Sequence, residues 1–259
     1  MRIKEDKTDE LISELDKLIG AEELKQYVKN TCRMYKRFDD SNIDILYNRA
    51  LLLSINEGDG RSTWKSTIKN MWKMLLDLYD ISVKDYVMKP PAIEDAANAK
   101  KTSDRDIVLN KLDSDYVFES MFDDRRILFL DITKWVDNVS GDAFRAVLSR
   151  LEASLEEQFV VFVIPAVDDN TLKNIKEAIS WFMNVDEIYC PPYGIEEYTE
   201  YGLKRFEAFG VKIEDGVEEM LAQIIAGLRR DYQFNGFKSV RAVVDDIMIK
   251  NIFKNTETA

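Results

Sequence analysis

The residues best suited to chemistry form a loop between an apolar segment and a helical one. This loop is Asn56-Glu57-Gly58-Asp59-Gly60, and Arg61, Ser62 and Thr63 follow it. Free backbone N–H groups of a glycine loop at a helix N-terminus attract anions, so a nucleotide phosphate would sit there. The full phosphate-loop pattern has glycine where this chain has Ile55 and lysine where it has Arg61. A plain strand-to-helix turn capped by Ser62 or Thr63 therefore remains the alternative.

Other chemistry is restricted by composition. The 259 residues include no histidine, which excludes the usual serine and cysteine triads and most transition-metal sites. The only cysteines, Cys32 and Cys190, are too few for a disulfide framework or a zinc cluster, and we expect packed thiols. A net charge of −12 disfavours nucleic-acid backbones and anionic membrane surfaces. We therefore expect a cytoplasmic protein with neither nucleic acid nor membrane as partner.

The elements that must position the loop alternate between strands and helices. Helical periodicity over residues 8–36 is interrupted at Gly20, which predicts two helices with a hinge. Strands are predicted at 43–55, 80–88, 126–132 and 159–167. Helices are predicted at 62–78, 107–122, 142–157 and 172–183. Right-handed crossovers between parallel strands then give an α/β/α sandwich. After Pro191-Pro192, three further helical segments predict a small all-helical domain.

The order of these segments resembles that of the AAA+ ATPases of the CbbX (Rubisco activase) and stage V sporulation protein K type, over nearly the whole chain. Leu15 to Gly20 resembles that family's entry segment, which lies against the adenine. Asn56, Gly58, Gly60 and Ser62 fall on its phosphate loop, and Ile127 to Asp131 matches its Walker B strand. The remaining matches are the next strand, the turn into the lid and the sensor-2 stretch, at Val160 to Val163, Pro191 to Tyr198 and Lys238 to Arg241.

The resemblance implies an AAA+ type α/β/α sandwich with a parallel sheet, followed by a small all-helical lid. The implied domains are a nucleotide-binding-like domain at 1–190 and the lid at 191–259. The implied ligand is ATP or ADP with Mg²⁺. Its implied contacts are Ile19, Gly20, Gly58, Asp59, Gly60, Arg61, Ser62, Thr63, Asp131 and Arg241, with Ser62 and Asp131 as metal ligands. Pairing with Asp245 is the alternative for Arg241, and capping or pairing is the alternative for Asp131.

The departures from the family pattern concern groups that act on the γ-phosphate. Walker B ends in Asp131-Ile132 rather than Asp-Glu, and an isoleucine can neither accept a proton nor orient water. Pro165-Ala166 replaces the polar residue after the next strand, and Ser180-Trp181 replaces the Ser-Arg finger. Loss of one arginine finger costs about 10³–10⁵ in rate in related phosphoryl-transfer systems. We therefore expect no catalytic residues and negligible turnover.

Three hypotheses about function follow. The first is a pseudo-ATPase module that assembles with an active AAA+ paralogue, or with itself in a ring. The second is an active, chaperone-like remodelling ATPase with substituted groups. Its substitutes would be Asp137, Asp142 or Glu152 for the missing base and Arg205 or Arg229 for the finger. The third is a nucleotide-free scaffold that binds partners through its acidic surface and the insert at 89–105. Survival of Gly58 and Gly60 beside a Ser-Thr pair favours the first.

Overall fold

The computed structural model describes residues 8–35, 49–77, 83–87, 125–153, 155 and 158–257. The predicted insert at 89–105 and the predicted helix at 107–122 lie outside these residues.

A five-stranded parallel sheet forms the centre of the structure. Its strands are β1 (Arg49–Ser54), β2 (Val83–Val87), β3 (Arg125–Asp131), β4 (Gln158–Ile164) and β5 (Asn184–Tyr189), and the order across the sheet is β2-β3-β4-β1-β5. Strands β1 and β4 each have a hydrogen-bonded strand on both sides and helices on both faces, which explains their continuous apolar sequences. Because all strands are parallel, the carboxyl ends of β1, β3 and β4 lie at the same end of the sheet. The glycine loop and Asp131 are therefore brought together at that end.

Helices cover both faces of this sheet. Helices α1 (Thr8–Asp16), α2 (Glu22–Tyr35) and α3 (Arg61–Asp77) pack on the face that carries Leu51 and Leu53. A 3₁₀ helix (Thr133–Asn138), α4 (Asp142–Glu152) and α5 (Asp169–Ser180) pack on the opposite face. Successive residues of a strand point to opposite faces, so alternate residues of β1 belong to separate cores.

An all-helical unit follows the sheet. It consists of α6 (Ile195–Ala208), α7 (Val217–Leu228) and α8 (Gly236–Glu257), and we call it the lid. Its apolar side chains Phe206, Leu221 and Val240 join the core on the α1–α3 face. The lid therefore packs on the α1–α3 face of the sheet, at the carboxyl ends of the strands, where the glycine loop also lies.

The α/β/α class, the parallel sheet and the following helical unit are confirmed. Strand β5 was missing from the prediction; it lies at the sheet edge, and its sequence Asn-Val-Asp-Glu-Ile-Tyr has only one buried residue, Ile188. The strand predicted at 159–167 ends at Ile164, because Pro165 has no N–H for the ladder. The helix predicted at 142–157 ends at Glu152. No helix in the described part of the chain has the length and apolarity to cross a bilayer.

Candidate functional site

The loop after β1 is tied to the end of β4. The Ile55 N–H donates to the Ile164 carbonyl at 2.9 Å, and the Ala166 N–H donates to Asn56 Oδ1 at 3.1 Å. Gly58 and Gly60 have φ of +92° and +86°, in the left-handed region that glycine tolerates. The first helical hydrogen bond of α3 runs from Trp64 N to the Gly60 carbonyl at 3.0 Å. The N–H groups of the preceding helical residues thus face the loop as helix N-terminal donors.

Arg61 stands at the position of the phosphate-loop lysine and folds back over the loop. Its Nη2 and Nε donate to the Ile55 carbonyl at 2.9 and 3.3 Å. Its Nη1 donates to Asp131 Oδ2 at 3.0 Å, and the two side chains are 19% and 35% exposed. The structure therefore joins the predicted residues Arg61 and Asp131 in a partly buried ion pair between the loop and the end of β3.

The predicted metal ligands Ser62 and Asp131 do not fit a Mg²⁺ ion as they are arranged. Asp131 accepts the Arg61 guanidinium on Oδ2 and the Thr133 N–H on Oδ1, the latter at 3.0 Å. Ser62 is exposed to solvent. Mg²⁺ requires near-octahedral oxygen ligands at about 2.0–2.1 Å, and a guanidinium already holds the nearest carboxylate. Among the described residues, no cluster of three or more His, Cys, Asp or Glu side chains could hold a metal.

A cleft of about 800 Å³ lies between the loop and the lid. One wall is apolar and includes Leu18, Ile19, Tyr193 and Phe237. The predicted contact Gly20 packs behind this wall, where a Cβ would come within 2.7 Å of Tyr193 Cε1. The volume falls in the usual range for small-molecule sites. A planar, partly apolar group fits against this wall.

The other predicted contacts line the same cleft. They are Gly58, Asp59, Gly60, Arg61, Ser62, Thr63, Asp131 and Arg241. The cationic side chains of the lining are Lys17, Arg61, Lys65, Lys204, Arg205, Lys238 and Arg241. Three carboxylates, those of Glu57, Asp59 and Asp131, also line the cleft. Three more pair with its cations: Glu14 with Lys17, Glu200 with Lys204, and Asp245 with Arg205 and Arg241. With these partners counted, seven cations accompany six carboxylates, a net charge of +1 in a chain of net charge −12. The lining therefore favours an anionic ligand.

Two arginines of the lid share one carboxylate. Arg205 binds Asp245 through two hydrogen bonds, at 2.6 and 2.8 Å, and this guanidinium holds the pKa of Asp245 below its usual range. Arg241 lies 3.6 Å from the same carboxylate and its side chain is 63% exposed. The Asp245 carboxylate thus fixes Arg205 within the lid and leaves Arg241 loosely held at the cleft.

Lys65 was missed in the sequence analysis. It lies one turn after Arg61 on α3, lines the cleft, and holds its Nζ 5.1 Å from the centre of the Phe129 ring. No carboxylate of the described residues forms an ion pair with it, and burial lowers its pKa. The spacing Arg61 to Lys65 places both on one helix face, so the sequence did contain the signal.

The lid contacts the loop through backbone. The Phe237 N–H donates to the Gly58 carbonyl at 3.0 Å, and a Cβ on Gly58 would lie 2.6 Å from the carbonyl carbon of Asn235. The Tyr198 hydroxyl donates to Asp59 Oδ1 at 2.5 Å. Asp59 is only 5% exposed, and burial together with this carboxylate raises the pKa of Tyr198. These lid residues are about 140 or more positions from the loop, and no sequence pattern signalled their contact.

At the positions that the family resemblance assigns to hydrolysis, the chain carries Ile132, Pro165-Ala166 and Ser180-Trp181. Ile132 is fully buried, and the Pro165 carbonyl accepts the Ser54 hydroxyl at 3.1 Å. Ser180 donates to its own helix at the Lys176 carbonyl, and Trp181 is 85% exposed.

In the described part of the chain, the acidic residues considered as substitutes for the missing base do not line the cleft, whereas Arg205 does. Asp137, Asp142 and Glu152 are absent from the described lining of the cleft. Arg205 is held by Asp245, and the Arg229 guanidinium stacks 6.0 Å from the Tyr198 ring centre.

The two cysteines are packed thiols, as the sequence predicts. Both are buried free thiols, and burial raises the pKa of Cys190 to about 12. A thiol of this kind is protonated at neutral pH and unreactive.

No family model and no curated protein matches this sequence. Among solved structures, the chain is similar to the Aeropyrum pernix ORC1 protein in complex with DNA, at 15% identity and a TM-score of 0.47, over 79% of this chain and 54% of that one. Thermotoga maritima RuvB is similar at 18% identity and a TM-score of 0.42, over 80% and 57%. Saccharomyces cerevisiae Hsp104 in a casein complex is similar at 18% identity and a TM-score of 0.46, over 93% and 39%. The chain thus spans about half the length of ORC1. At these similarities, function has to be inferred from the cleft itself.

Proposed function

We propose that this chain is an AAA+ type module that holds ATP or ADP in the cleft between the loop and the lid and hydrolyses it negligibly. One observation carries the proposal: the cations Arg61 and Lys65 line the cleft beside a glycine loop at a helix N-terminus, while a buried isoleucine follows Asp131. The first property suits a polyphosphate, and the second leaves no base for water.

The two walls of the cleft suit the two parts of a nucleotide. The apolar wall with Ile19 and Tyr193 suits a planar base, and the loop N–H groups with Arg61 and Lys65 suit phosphates. The base of a bound nucleotide would pack on this wall, and its phosphate oxygens would accept hydrogen bonds from these cations. The residues of this chain would bind and orient it, and Asp59 would hold the lid through Tyr198.

Turnover is expected to be negligible because general-base catalysis needs a group within hydrogen-bond reach of the attacking water. Ile132 has no such group, and the described carboxylates of the cleft are already engaged: Asp131 by Arg61, Asp59 by Tyr198 and Glu57 by Lys238. A module of this kind would act as a regulatory or structural subunit, joined to an active AAA+ paralogue or to copies of itself in a ring.

Thermal unfolding in the presence of ATP and of ADP tests the proposal. A ligand that binds only the folded state at about 100 times its Kd adds roughly 2.7 kcal/mol, which corresponds to several degrees in Tm for a chain of this size. We expect both nucleotides to raise the Tm of the wild type and to raise that of Arg241→Ala less. Lys212→Ala is the matched control, since Lys212 is exposed and does not line the cleft.

Phosphate release from the same sample separates binding from catalysis. We expect none above the rate of ATP in buffer. Absence of any Tm shift would contradict nucleotide binding, and turnover at rates of about 1 s⁻¹ or more, within the ordinary enzyme range, would contradict the pseudo-ATPase proposal.

A further inference from the structure

We propose that the cleft takes its nucleotide without a divalent cation, because the Arg61 guanidinium occupies the place between Asp131 and the phosphates that the cation would need. This inference rests on the proposed nucleotide site and specifies the form of the ligand: a metal-free nucleoside di- or triphosphate.

Arg61 has hydrogen-bond donors left for a phosphate. A guanidinium has five N–H donors. Three are used: Nη2 and Nε each donate one to the Ile55 carbonyl, and Nη1 donates one to Asp131. One N–H on each Nη remains, and Arg61 lines the cleft. Arg61 can therefore bind a phosphate oxygen while it keeps Asp131, and so connects carboxylate and phosphate as a metal ion would.

A divalent cation bound to Asp131 would have to displace the Arg61 guanidinium. Mg²⁺ at about 2.1 Å from Asp131 Oδ2 would compete for the lone pairs that Nη1 engages at 3.0 Å, and the two positive charges would repel each other. The other oxygen, Oδ1, is held by the Thr133 N–H. Breaking the pair would also remove the carboxylate partner of a guanidinium that is only 19% exposed. Both costs oppose the metal.

The side chains of the cleft already supply positive charge. With the ion-pair partners of its cations counted, the lining carries seven cations against six carboxylates, so its own net charge is +1 before any metal enters. Free ATP is more negative than its Mg²⁺ complex and is therefore attracted more strongly to this lining. The half-buried Lys65 forms no ion pair with a carboxylate in the described part of the chain and lies one turn from Arg61. The charge that a metal supplies in other sites is here supplied by side chains.

Titration calorimetry of the full chain with ATP, once in excess Mg²⁺ and once in excess EDTA, tests this inference. We expect the Kd of the wild type in EDTA to be equal to or lower than the Kd in Mg²⁺. A higher Kd in EDTA would overturn the inference and leave the proposed nucleotide site intact. Absence of binding in both buffers would overturn the inference and the proposed site together.

Two variants assign the effect to Arg61. Arg61→Lys replaces the fork by a compact ammonium and frees a lone pair of Asp131, so we expect roughly tenfold weaker binding in EDTA and tighter binding in Mg²⁺ than in EDTA. An unchanged ratio of the two Kd values would overturn the role of Arg61.

Asp131→Asn is the second variant for this test, to be used if the Arg61→Lys protein does not fold. It removes the charge that a metal ligand needs and keeps an oxygen for Arg61, so we expect its Kd in EDTA to remain within about threefold of wild type. A loss of binding by more than that would overturn the metal-free mode.

Discussion

Two regions at the carboxyl ends of the strands differ in what their side chains can do: the loop end of the cleft, and the ends of β3 and β4, which we call the reaction end. At the loop end, N–H groups of α3 and the cations Arg61 and Lys65 surround open space. At the reaction end, the buried Ile132 and the backbone of Pro165 stand at the ends of β3 and β4. Anion binding needs only donors and positive charge, whereas hydrolysis needs a base aimed at water. A cleft of this fold can therefore keep the first capacity without the second.

The largest expected effect comes from an attempt to restore the reaction end. Ile132→Glu places a carboxylate at a fully buried position. We expect the free energy of unfolding to fall by about 4 kcal/mol or more, and phosphate release to stay at background. Urea denaturation measures the loss. Ile249→Glu is the control, because Ile249 is 52% exposed and should change stability by less than about 0.5 kcal/mol. Near wild-type stability with new turnover would erase the contrast between the two ends.

The next effect concerns the contact between loop and lid. Gly58→Ala adds a Cβ 2.6 Å from the Asn235 carbonyl carbon at a φ of +92°, so backbone must shift as well as bear strain. We expect a loss of about 3 kcal/mol. Gly210→Ala is the matched control, since Gly210 has a φ of +76° but nothing within 4 Å, and we expect about 1 kcal/mol. Equal losses of unfolding free energy in the two variants would show that the lid does not pack closely against the loop.

A smaller effect is expected from the hydrogen bond across the cleft. Tyr198→Phe leaves the buried Asp59 carboxylate without its hydroxyl donor, and we expect a loss of about 1–3 kcal/mol at pH 7. Tyr232→Phe is the control, because Tyr232 is 91% exposed. The pKa of Tyr198 is raised in the folded state, so its contribution is complete below the unfolded pKa of about 10 and is lost as pH rises beyond it. The difference in unfolding free energy between wild type and Tyr198→Phe should therefore shrink in alkaline buffer.

The smallest effect sharpens the description of the loop end itself. Lys65→Met keeps the stem that packs near Phe129 and removes the charge. We expect nucleotide affinity to fall about tenfold, which is roughly 1.4 kcal/mol, with little change in stability. Calorimetric titration measures it beside Lys212→Met, an exposed lysine outside the cleft. Unchanged affinity would remove Lys65 from the anion site.

The sequence was sufficient for the parts of the fold whose local pattern is strong. The buried strands β1, β3 and β4 have continuous apolar runs, and the helices have apolar residues at helical spacing. Strand β5 was missed because an edge strand needs little apolar surface, and its residues 184–189 alternate weakly. End positions shifted where a tertiary contact or a proline decides them, as at Pro165.

For the site, the sequence supplied the loop, Asp131 and the substituted reaction groups, because each is a short motif. It did not supply the Arg61–Asp131 pair, which joins residues 70 positions apart, or the Tyr198–Asp59 bond, which joins residues 139 apart. The first contact depends on how β3 is placed beside the loop in the sheet, and the second on how the lid packs against the loop. Spacing within one helix or loop holds no information about them.

The burial of Trp64 beside the cleft has an optical consequence. Of the four tryptophans, Trp64, Trp72 and Trp135 are at most 3% exposed, whereas Trp181 is 85% exposed. Only Trp181 is therefore open to collision with an aqueous quencher such as iodide, and its emission can be suppressed selectively. Trp64 lines the cleft directly after the loop, and it is the only one of the four that does. The emission that survives quenching includes the indole of Trp64 in the cleft wall, so a change in that emission would report occupancy of the cleft without any label.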